Sequence, residues 1–152
     1  GAKLTYSSSS KSVKVSKTGK ITIAGNFVGR AVITVKSSET SCYKAASKKF
    51  NVTVKPAAPS ITKAVNSIKS TIAVSWKGNK TCSGYAVQYS TNKSFKSGVK
   101  TIYITKNSTM KATLTKLAKG KTYYIRAASY KKNGNTKILS SWSKVKSVKI
   151  RK

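Results

Sequence analysis

Few side chains in this sequence are suited to acid–base, metal or nucleophilic chemistry. The 152 residues include no His and no Asp, and Glu39 is the only acid. Catalytic triads, carboxylate pairs and metal sites built from His or from several carboxylates are therefore excluded within the chain. No glycine-rich loop follows a strand pattern and opens a helix, as a phosphate-binding loop would. We predict no cofactor, no metal and no enzymatic activity.

Basic residues are the dominant chemical feature of the sequence. Lys and Arg number 32, the net charge is +31, and only three of the basic residues are Arg. AT-rich coding favours Lys, but the same bias would also supply some Glu and Asp, which are nearly absent. We therefore interpret a polyanionic neighbourhood as a contributing cause, because such a surface attracts anions at long range. The candidate contacts are Lys131, Lys132, Lys144, Lys146 and Lys149.

The lysine pattern also has an explanation that needs no ligand. Lysines alternate with apolar residues along strand patterns, as in residues 144–149. Outward lysines on strands blunt sheet edges against aggregation. This explanation accounts for much of the lysine pattern, but it does not explain why no Glu occupies such outward strand positions.

Aromatic residues are the second group that could bind a ligand, by stacking on sugar rings. Four of them are in phase with apolar neighbours, which predicts a place in the core. They are Trp76, Tyr85, Tyr89 and Tyr123. Three others lie on outward phases, where they could be exposed and either stack on carbohydrate or be ordinary surface residues. They are Tyr103, Tyr124 and Tyr130.

Short β-strands must position these side chains. Residues 123–130 alternate between two faces, with Tyr123 and Ile125 on one face and Tyr124 and Arg126 on the other. Similar short alternating runs, separated by turns with Gly, recur along the chain and indicate an all-β sandwich. Val145 and Val148 are out of phase with each other, which predicts a bulge or irregularity near Lys146.

The prolines predict a domain boundary. Residues 56–59, Pro-Ala-Ala-Pro, are expected to form a short, stiff linker. We assign residues 1–55 to a first unit and residues 60–152 to a second, which is near the roughly 100 residues of a complete sandwich. We therefore predict two tandem Ig-like β-sandwich domains, of which the first is incomplete. Missing opening strands would leave some uncovered core and a sheet edge that is frayed or paired with a neighbouring molecule.

The second unit resembles a fibronectin type III domain. Residues 117–130 are similar to the E–F corner and strand F of that family, where a Tyr opens a strand just after a Leu and a turn. The resemblance implies a tyrosine corner at Tyr123, whose hydroxyl would bond upstream backbone. Trp76 stands at the position of the family's strand-B tryptophan. The resemblance covers residues 60–152.

The segment around Trp142 resembles half of the Trp-Ser box that precedes the last strand in some receptor modules. It reads Ser-Trp-Ser at residues 141–143. In those modules an Arg of strand F stacks on the Trp, which implies a cation–π pair between Arg126 and Trp142. A protein-binding role for Trp142 is the alternative. We therefore name Arg126, Trp142 and Tyr124 as candidate stacking residues.

The first unit resembles the second half of a bacterial Ig-like repeat. The likeness rests on residues 6–25 and 26–35, and on Tyr-Lys-Ala-Ala at 43–46 before the last strand. The acids common in such repeats are missing. Together the two units resemble tail modules of secreted or surface proteins of Gram-positive bacteria. That resemblance implies an extracellular location, secreted or associated with the cell wall.

The two cysteines, Cys42 and Cys82, invite a disulfide in a secreted chain. Cys42 precedes the last strand of the first unit, at the pole expected to lie away from the second unit. Cys82 lies between the second and third strands of the second unit. A strand of about six residues spans some 20 Å, whereas a disulfide requires Cα atoms within about 7 Å. We therefore predict two free thiols.

Three functions remain as hypotheses. The first is a non-catalytic cell-surface or secreted module that serves as a spacer and as a weak electrostatic tether to anionic cell-wall polymers, such as teichoic acid, or to host glycans. The second is an accessory module of a secreted enzyme whose catalytic domain lies outside this chain. A protein partner is compatible with both. Nucleic-acid binding is disfavoured, because Lys is a point charge whereas Arg reads bases, and no binding motif is present. No apolar run of about 18 residues could span a membrane.

Overall fold

The structure is a computed structural model, which describes residues 1–151. All regular elements in this range are β-strands, thirteen in number, and this confirms the predicted all-β class. The chain divides into two compact units, Gly1–Val54 and Lys55–Lys152. Within the described range, no helix is long and apolar enough to cross a membrane.

The first unit contains five strands in two sheets. They are β1 (Leu4–Ser8), β2 (Val13–Val15), β3 (Ile21–Ile23), β4 (Gly29–Ser37) and β5 (Ala46–Val54). β4 lies between β1 and β5 in an antiparallel three-stranded sheet, and β2 pairs with β3 in a separate hairpin. The central strand β4 shows the alternation expected of a half-buried strand, with Ala31 and Ile33 buried on one face.

The core of the first unit is small and open. Val13, Ala31 and Ile33 are buried at its centre. Four large side chains of its strands are 41% to 51% exposed, namely Leu4, Ile21, Ile23 and Phe50. β5 ends the sheet, and its outer edge has no strand partner in the described residues. Part of the core is uncovered, as expected, but β5 is a continuous strand and not a frayed one. Pairing of this edge with a neighbouring molecule stays a prediction.

The second unit contains eight strands. They are β6 (Ser60–Val65), β7 (Ile72–Lys77), β8 (Gly84–Ser90), β9 (Lys100–Ile104), β10 (Lys111–Leu114), β11 (Thr122–Asn133), β12 (Thr136–Leu139) and β13 (Lys146–Lys149). One sheet has the order β10-β7-β6, and the other has the order β12-β11-β8-β9. β13 also pairs with β11, along Thr122 to Ile125, whereas β12 pairs with the other end of the same strand. β11 is thus the strand on which the five-stranded sheet is assembled.

Aromatic and aliphatic side chains from both sheets fill the core of the second unit. Trp76 of β7 meets Tyr85 of β8 edge to face, with ring centroids 5.4 Å apart. Both residues are buried, as is Tyr89, and Tyr123 packs against the same cluster while partly buried. The prediction that these four aromatics belong to the core is confirmed. The alternation in sequence was sufficient here because both sheets turn one full face inward.

The hydroxyl of Tyr85 is held inside this core. It lies within hydrogen-bonding distance of the carbonyl oxygens of Asn107 (3.1 Å) and Asn79 (3.3 Å), and it accepts from the backbone N–H of Asn79 (3.2 Å). Burial, followed by the hydrogen bond and charge of the Cys82 thiol, raises the pKa of Tyr85 to about 12. A Cβ on Gly78 would collide with the same hydroxyl, so this position has room only for glycine.

The tyrosine corner predicted at Tyr123 is present. Its hydroxyl accepts a hydrogen bond from the backbone N–H of Ala118 at 3.1 Å. Leu117 is buried just before the corner, and its N–H donates to the carbonyl oxygen of Ser70 at 3.0 Å. The corner therefore anchors the connection between β10 and β11 at the point where β11 begins.

Regular pairing along β11 is interrupted between β12 and β13. Tyr130 pairs with Leu139, and Ile125 pairs with Lys146. The chain therefore advances by seven residues from Leu139 to Lys146, while the opposing stretch of β11 advances by only five. In this segment the hydroxyls of Ser140 and Ser143 accept the backbone N–H groups of Ser129 and Ala127, both at 3.0 Å. Serine side chains thus replace the missing backbone acceptors. The predicted irregularity is confirmed, and it lies immediately before Lys146.

The predicted linker, residues 56–59, packs within the second unit. Pro56 and Pro59 are buried. Between them, the carbonyl oxygen of Ala57 accepts hydrogen bonds from Ser129 Oγ and from Asn79 Nδ2, the latter at 2.8 Å. The stiffness expected of two prolines is therefore accompanied by attachment to the core of that unit.

Both cysteines are free, as predicted. Cys42 is exposed in the first unit. Cys82 is buried in the second unit, where its thiol donates to the carbonyl oxygen of Asn79 at 3.3 Å.

Candidate functional site

The candidate stacking residues lie on the outer face of the five-stranded sheet, the face turned away from the core. β11 positions them, because its alternate residues Tyr124, Arg126 and Tyr130 point to that face while Ile125 and Ala127 point inward and are buried. The antiparallel register places Gln88 of β8 directly opposite Arg126. The outer face is therefore formed by β8, β9 and β11, together with β12, β13 and the segment that joins those two strands.

Arg126 forms the centre of a stack of three side chains. Its guanidinium carbon lies 4.5 Å from the centroid of the Trp142 ring and 4.1 Å from that of Phe95. Its Nε and Nη2 both donate to Oε1 of Gln88, at 3.0 and 2.8 Å. The predicted pairing of Arg126 with Trp142 is present. Burial lowers the pKa of the Arg126 guanidinium, which stays charged because arginine is not deprotonated in proteins.

Two partners of Arg126 were not identified from the sequence. Phe95 lies in the connection between β8 and β9 and adopts φ 56°, a left-handed conformation that is uncommon for a bulky residue. That connection has no periodic pattern, so nothing in the sequence linked Phe95 to Arg126. Gln88 could have been found, since it occupies the outward phase between buried Val87 and Tyr89. Phe95, Trp142 and Gln88 thus already contact the guanidinium.

Tyr130 does not lie exposed on the outer face, and the expectation that it would be was wrong. The ring is fully buried, and its hydroxyl lies 3.4 Å from the carbonyl oxygen of Ile104, to which it donates. Its cross-strand partner is Gly84, where a Cβ would lie 2.8 Å from the Tyr130 hydroxyl oxygen. The absent side chain leaves room for the Tyr130 ring beside β8. Burial raises the pKa of Tyr130, with smaller contributions from Cys82 and Tyr103.

Tyr103 and Lys137 cover Tyr130 and form the exposed part of the same cluster. The rings of Tyr103 and Tyr130 meet edge to face at 6.0 Å, and Nζ of Lys137 lies 4.8 Å from the Tyr103 centroid. Tyr103 is 52% exposed, in agreement with its outward phase. Tyr124 is half-buried. The outer face therefore presents an exposed ring beside a lysine that the sequence did not single out.

The five candidate lysines do not form one cluster. Register places Lys132 and Lys149 on the outer face, opposite Lys137 and Thr122 respectively. Lys146 pairs with buried Ile125, so it has the inward phase at the edge of the sandwich. The remaining two also differ, since Lys131 Nζ donates to the carbonyl oxygen of Thr81 at 3.3 Å and Lys144 lies in the irregular segment. The arrangement is that of a diffuse basic surface.

One groove brings Trp142 together with two of these lysines. It lies between residues 58–61 and 142–146, has a volume of about 470 Å³, and is lined by Pro59, Ile61, Trp142, Lys144 and Lys146, among others. One aromatic ring next to two ammonium groups can contact a polymer that carries both sugar rings and anionic groups.

Residues 1–151 hold no group of three His, Cys, Asp or Glu side chains that could bind a metal ion. Glu39 is exposed, in agreement with its polar surroundings in sequence. The surface offers ammonium groups, guanidinium groups and aromatic rings, which can contact anions and sugar rings.

Comparison with known proteins agrees with this architecture. A sequence model of the fibronectin type III domain matches residues 56–146. A solved structure described as "Myokine structure" is 19% identical with a TM-score of 0.51, covering 64% of this chain and 100% of that chain. The FN1–FN3 domains of chicken CNTN1 are 15% identical with a TM-score of 0.57, covering 88% of this chain and 45% of that chain. No curated protein matches the chain in sequence.

The two structural similarities are below 25% identity and show a shared fold alone. The family match is stronger, because it spans more than half of the chain and includes Trp76, the corner at Tyr123 and the segment around Trp142. The strand order of residues 60–149, with sheets β10-β7-β6 and β12-β11-β8-β9, supplies the sandwich that this family requires. Through its second unit, the chain belongs to the fibronectin type III family.

Proposed function

We propose that the chain is a non-catalytic extracellular module that acts as a spacer and as an electrostatic tether to extended anionic polymers. Wall teichoic acid is the first candidate, and acidic host glycans are the second. The observation that carries this proposal is the charge, because 32 basic residues stand against Glu39 alone. Such a surface attracts polyanions at long range and gains affinity by releasing their condensed counterions.

The placement of the lysines supports a diffuse tether rather than a pocket. Lys132, Lys144, Lys146 and Lys149 are all exposed, and register distributes them between the outer face, the sandwich edge and the irregular segment. A flexible polymer can contact many such points in turn without any one being essential. The groove beside Trp142 would add one aromatic contact to this charge-based binding.

We further infer that residues 1–55 are an incomplete bacterial Ig-like repeat and that the protein is secreted or attached to the wall of a Gram-positive cell. The small two-sheet arrangement of the first unit and the exposure of its large apolar side chains support an incomplete domain. A role as accessory module of a secreted enzyme is the alternative, and the sequence of the whole gene distinguishes the two by the presence of a catalytic domain.

Binding to immobilised teichoic acid, with heparin and DNA as surrogate polyanions, tests the tether when titrated with salt. We expect retention at low salt and a steep loss of affinity towards physiological salt, where the Debye length is about 8 Å. Passage through all three columns at low salt would show that the lysines serve only solubility and edge protection.

Matched substitutions separate a diffuse surface from a specific site. Lys146→Gln, in the groove, and Lys14→Gln, exposed on β2 of the first unit, should each weaken binding slightly and lower the salt slope by about one unit at most. A specific glycan or protein site predicts the opposite, namely salt-tolerant binding that is lost in Trp142→Ala or Tyr124→Ala and unchanged in Lys14→Gln.

A further inference from the structure

The free edge of β5 offers backbone groups for pairing with another strand. β5 runs from Ala46 to Val54, pairs with β4 on one side, and has no strand on the other side within residues 1–151. About half of the N–H and C=O groups of a strand point to each edge, and nine residues extend for about 30 Å. Residues 46–51 are all exposed, so the described chain does not cover this stretch.

The inward face beside this edge is apolar and open. Phe50 pairs across the sheet with buried Ile33 but is itself 51% exposed, and Leu4 on the far strand is 50% exposed. A cleft of about 300 Å³ adjoins Leu4, and its lining also includes Val35, Ser37, Ala46, Ser47 and Lys48. An added strand with apolar side chains at alternate positions would cover Phe50 and extend the core.

The positive charge at the β5 edge favours an acidic binding partner. Lys48 has the inward phase and Lys49 the outward phase, where Lys36 and Arg30 of β4 lie on the same face. Residues 1–54 carry ten basic residues and one acid. The inward Lys48 opposes unspecific pairing at this edge, whereas Asp or Glu at the outward positions of an added strand would complement Lys49, Lys36 and Arg30. A second copy of this chain would itself carry +31 and would be repelled.

We propose that the β5 edge binds an extended segment of a separate acidic polypeptide, in which apolar residues alternate with Asp or Glu, as an added β-strand. Backbone hydrogen bonds supply the affinity, and the alternating side chains supply the specificity. This site differs from the polyanion surface of the proposed tether, because it requires an extended backbone and a fixed pattern of side chains in addition to negative charge.

A capped nine-residue peptide that alternates Val and Glu is a suitable probe, matched in length to β5. Its control has the same composition with the valines and glutamates in two blocks. Fluorescence anisotropy of labelled peptides, at a salt concentration of about 0.15 M, should show the alternating peptide binding at least about tenfold more tightly. Amide hydrogen exchange should show new protection in β5 and none in β11.

Variants locate the site and keep the test independent of folding. Phe50→Ser should weaken binding of the alternating peptide by about tenfold, whereas Tyr43→Ser, which removes an aromatic that is 76% exposed outside β5, should leave it unchanged. Lys49→Glu should weaken binding of the Val-Glu peptide and strengthen binding of a Val-Lys peptide, because it reverses the charge beside the edge.

Three results would overturn the proposal. The first is equal binding of the alternating and block peptides, which indicates charge alone. The second is peptide binding without protection of β5. The third is a dimer in sedimentation with β5 protected in the absence of peptide, which assigns the edge to a second copy of the chain. Loss of teichoic acid binding without loss of peptide binding would affect the tether only.

Discussion

The central strands of the two units, β4 and β11, have similar alternating patterns but very different surroundings. In β4, burial is confined to one face, at Gly29, Ala31 and Ile33. In β11, consecutive residues of both faces are fully buried: Ala127, Ala128, Ser129 and Tyr130. The inward face of β11 meets a second sheet, and part of its outer face is covered by Tyr103 and Lys137.

The difference shows that strand pattern alone does not determine how much a strand stabilises its unit. β4 has neighbours on both sides, as β11 has, yet its side chains face a hairpin of six residues, β2 and β3, whose Ile21 and Ile23 remain over 40% exposed. Burial of apolar area is the main stabilising term in folding. We therefore expect the second unit to be much the more stable of the two, and three experiments sharpen or break that comparison.

The largest expected effect is the difference between two isoleucine truncations. Ile125→Ala, at a fully buried site, should lower the free energy of unfolding of the second unit by about 2–5 kcal/mol. Ile21→Ala, at a site 43% exposed, should cost the first unit less than about 1 kcal/mol. Both tryptophans, Trp76 and Trp142, lie in the second unit, so their fluorescence reports denaturant unfolding of that unit alone.

Hydrogen exchange of β4 and β11 amides supplies the matching measurement for the first unit. The amides of β4 should exchange through openings of lower free energy than those of β11. If the two truncations lowered the free energy of unfolding equally, or if the amides of β4 and β11 were equally protected from exchange, the open core of the first unit would have to be covered in solution.

A smaller effect is expected from the pH dependence of stability. Folding raises the pKa of Tyr85 from 10.0 to about 12. The stabilisation linked to its neutral form is therefore fully present below pH 10 and is lost as the pH rises through 12. Over this range the free energy of unfolding of wild type should fall by about 1–2 kcal/mol more than that of Tyr85→Phe, with allowance for solvent screening.

The comparison of the two proteins removes the contribution of lysine titration, which they share. Tyr43→Phe, at an exposed site in the first unit, controls for the loss of a phenol. Parallel curves for wild type and Tyr85→Phe in tryptophan-monitored unfolding would contradict the linkage.

The smallest expected effect on stability concerns the stack around Arg126 on the outer face of the second unit. Among the described residues, β4 carries no such stack. Trp142→Leu should destabilise the second unit by about 0.5–1 kcal/mol through loss of the cation–π contact with Arg126. In an Arg126→Gln background the same change should cost less, because the contact is already absent. A double-mutant cycle measures this coupling, and a coupling of zero would show that the two groups are merely adjacent.

Features fixed by local periodicity could be predicted from the sequence. The core positions of Trp76 and Tyr85 follow from alternation, and the corner at Tyr123 follows from a Leu and a turn placed before a strand. The pairing of Arg126 with Trp142 required the family resemblance, since 16 residues separate them and no local rule joins them.

Features that depend on neighbours across strands could not be predicted. Tyr130 was expected to be exposed, and its burial depends on Gly84 opposite and on Tyr103 one strand further. Phe95 reaches Arg126 from an irregular connection. The inward phase of Lys146 follows only from its register with Ile125. In each case the deciding fact is a pairing that sequence alternation leaves undetermined.

The close approach at Gly84 has a consequence for how this sequence can change over generations. Any larger residue there would collide with the carbonyl oxygen of Ile104 and would lie 2.8 Å from the Tyr130 hydroxyl oxygen. A substitution at position 84 therefore becomes tolerable only after position 130 has lost its aromatic ring and β9 has shifted. Among related sequences, we expect glycine at position 84 wherever β9 pairs with β8 in this register, and a larger residue there should be accompanied by a smaller one at position 130.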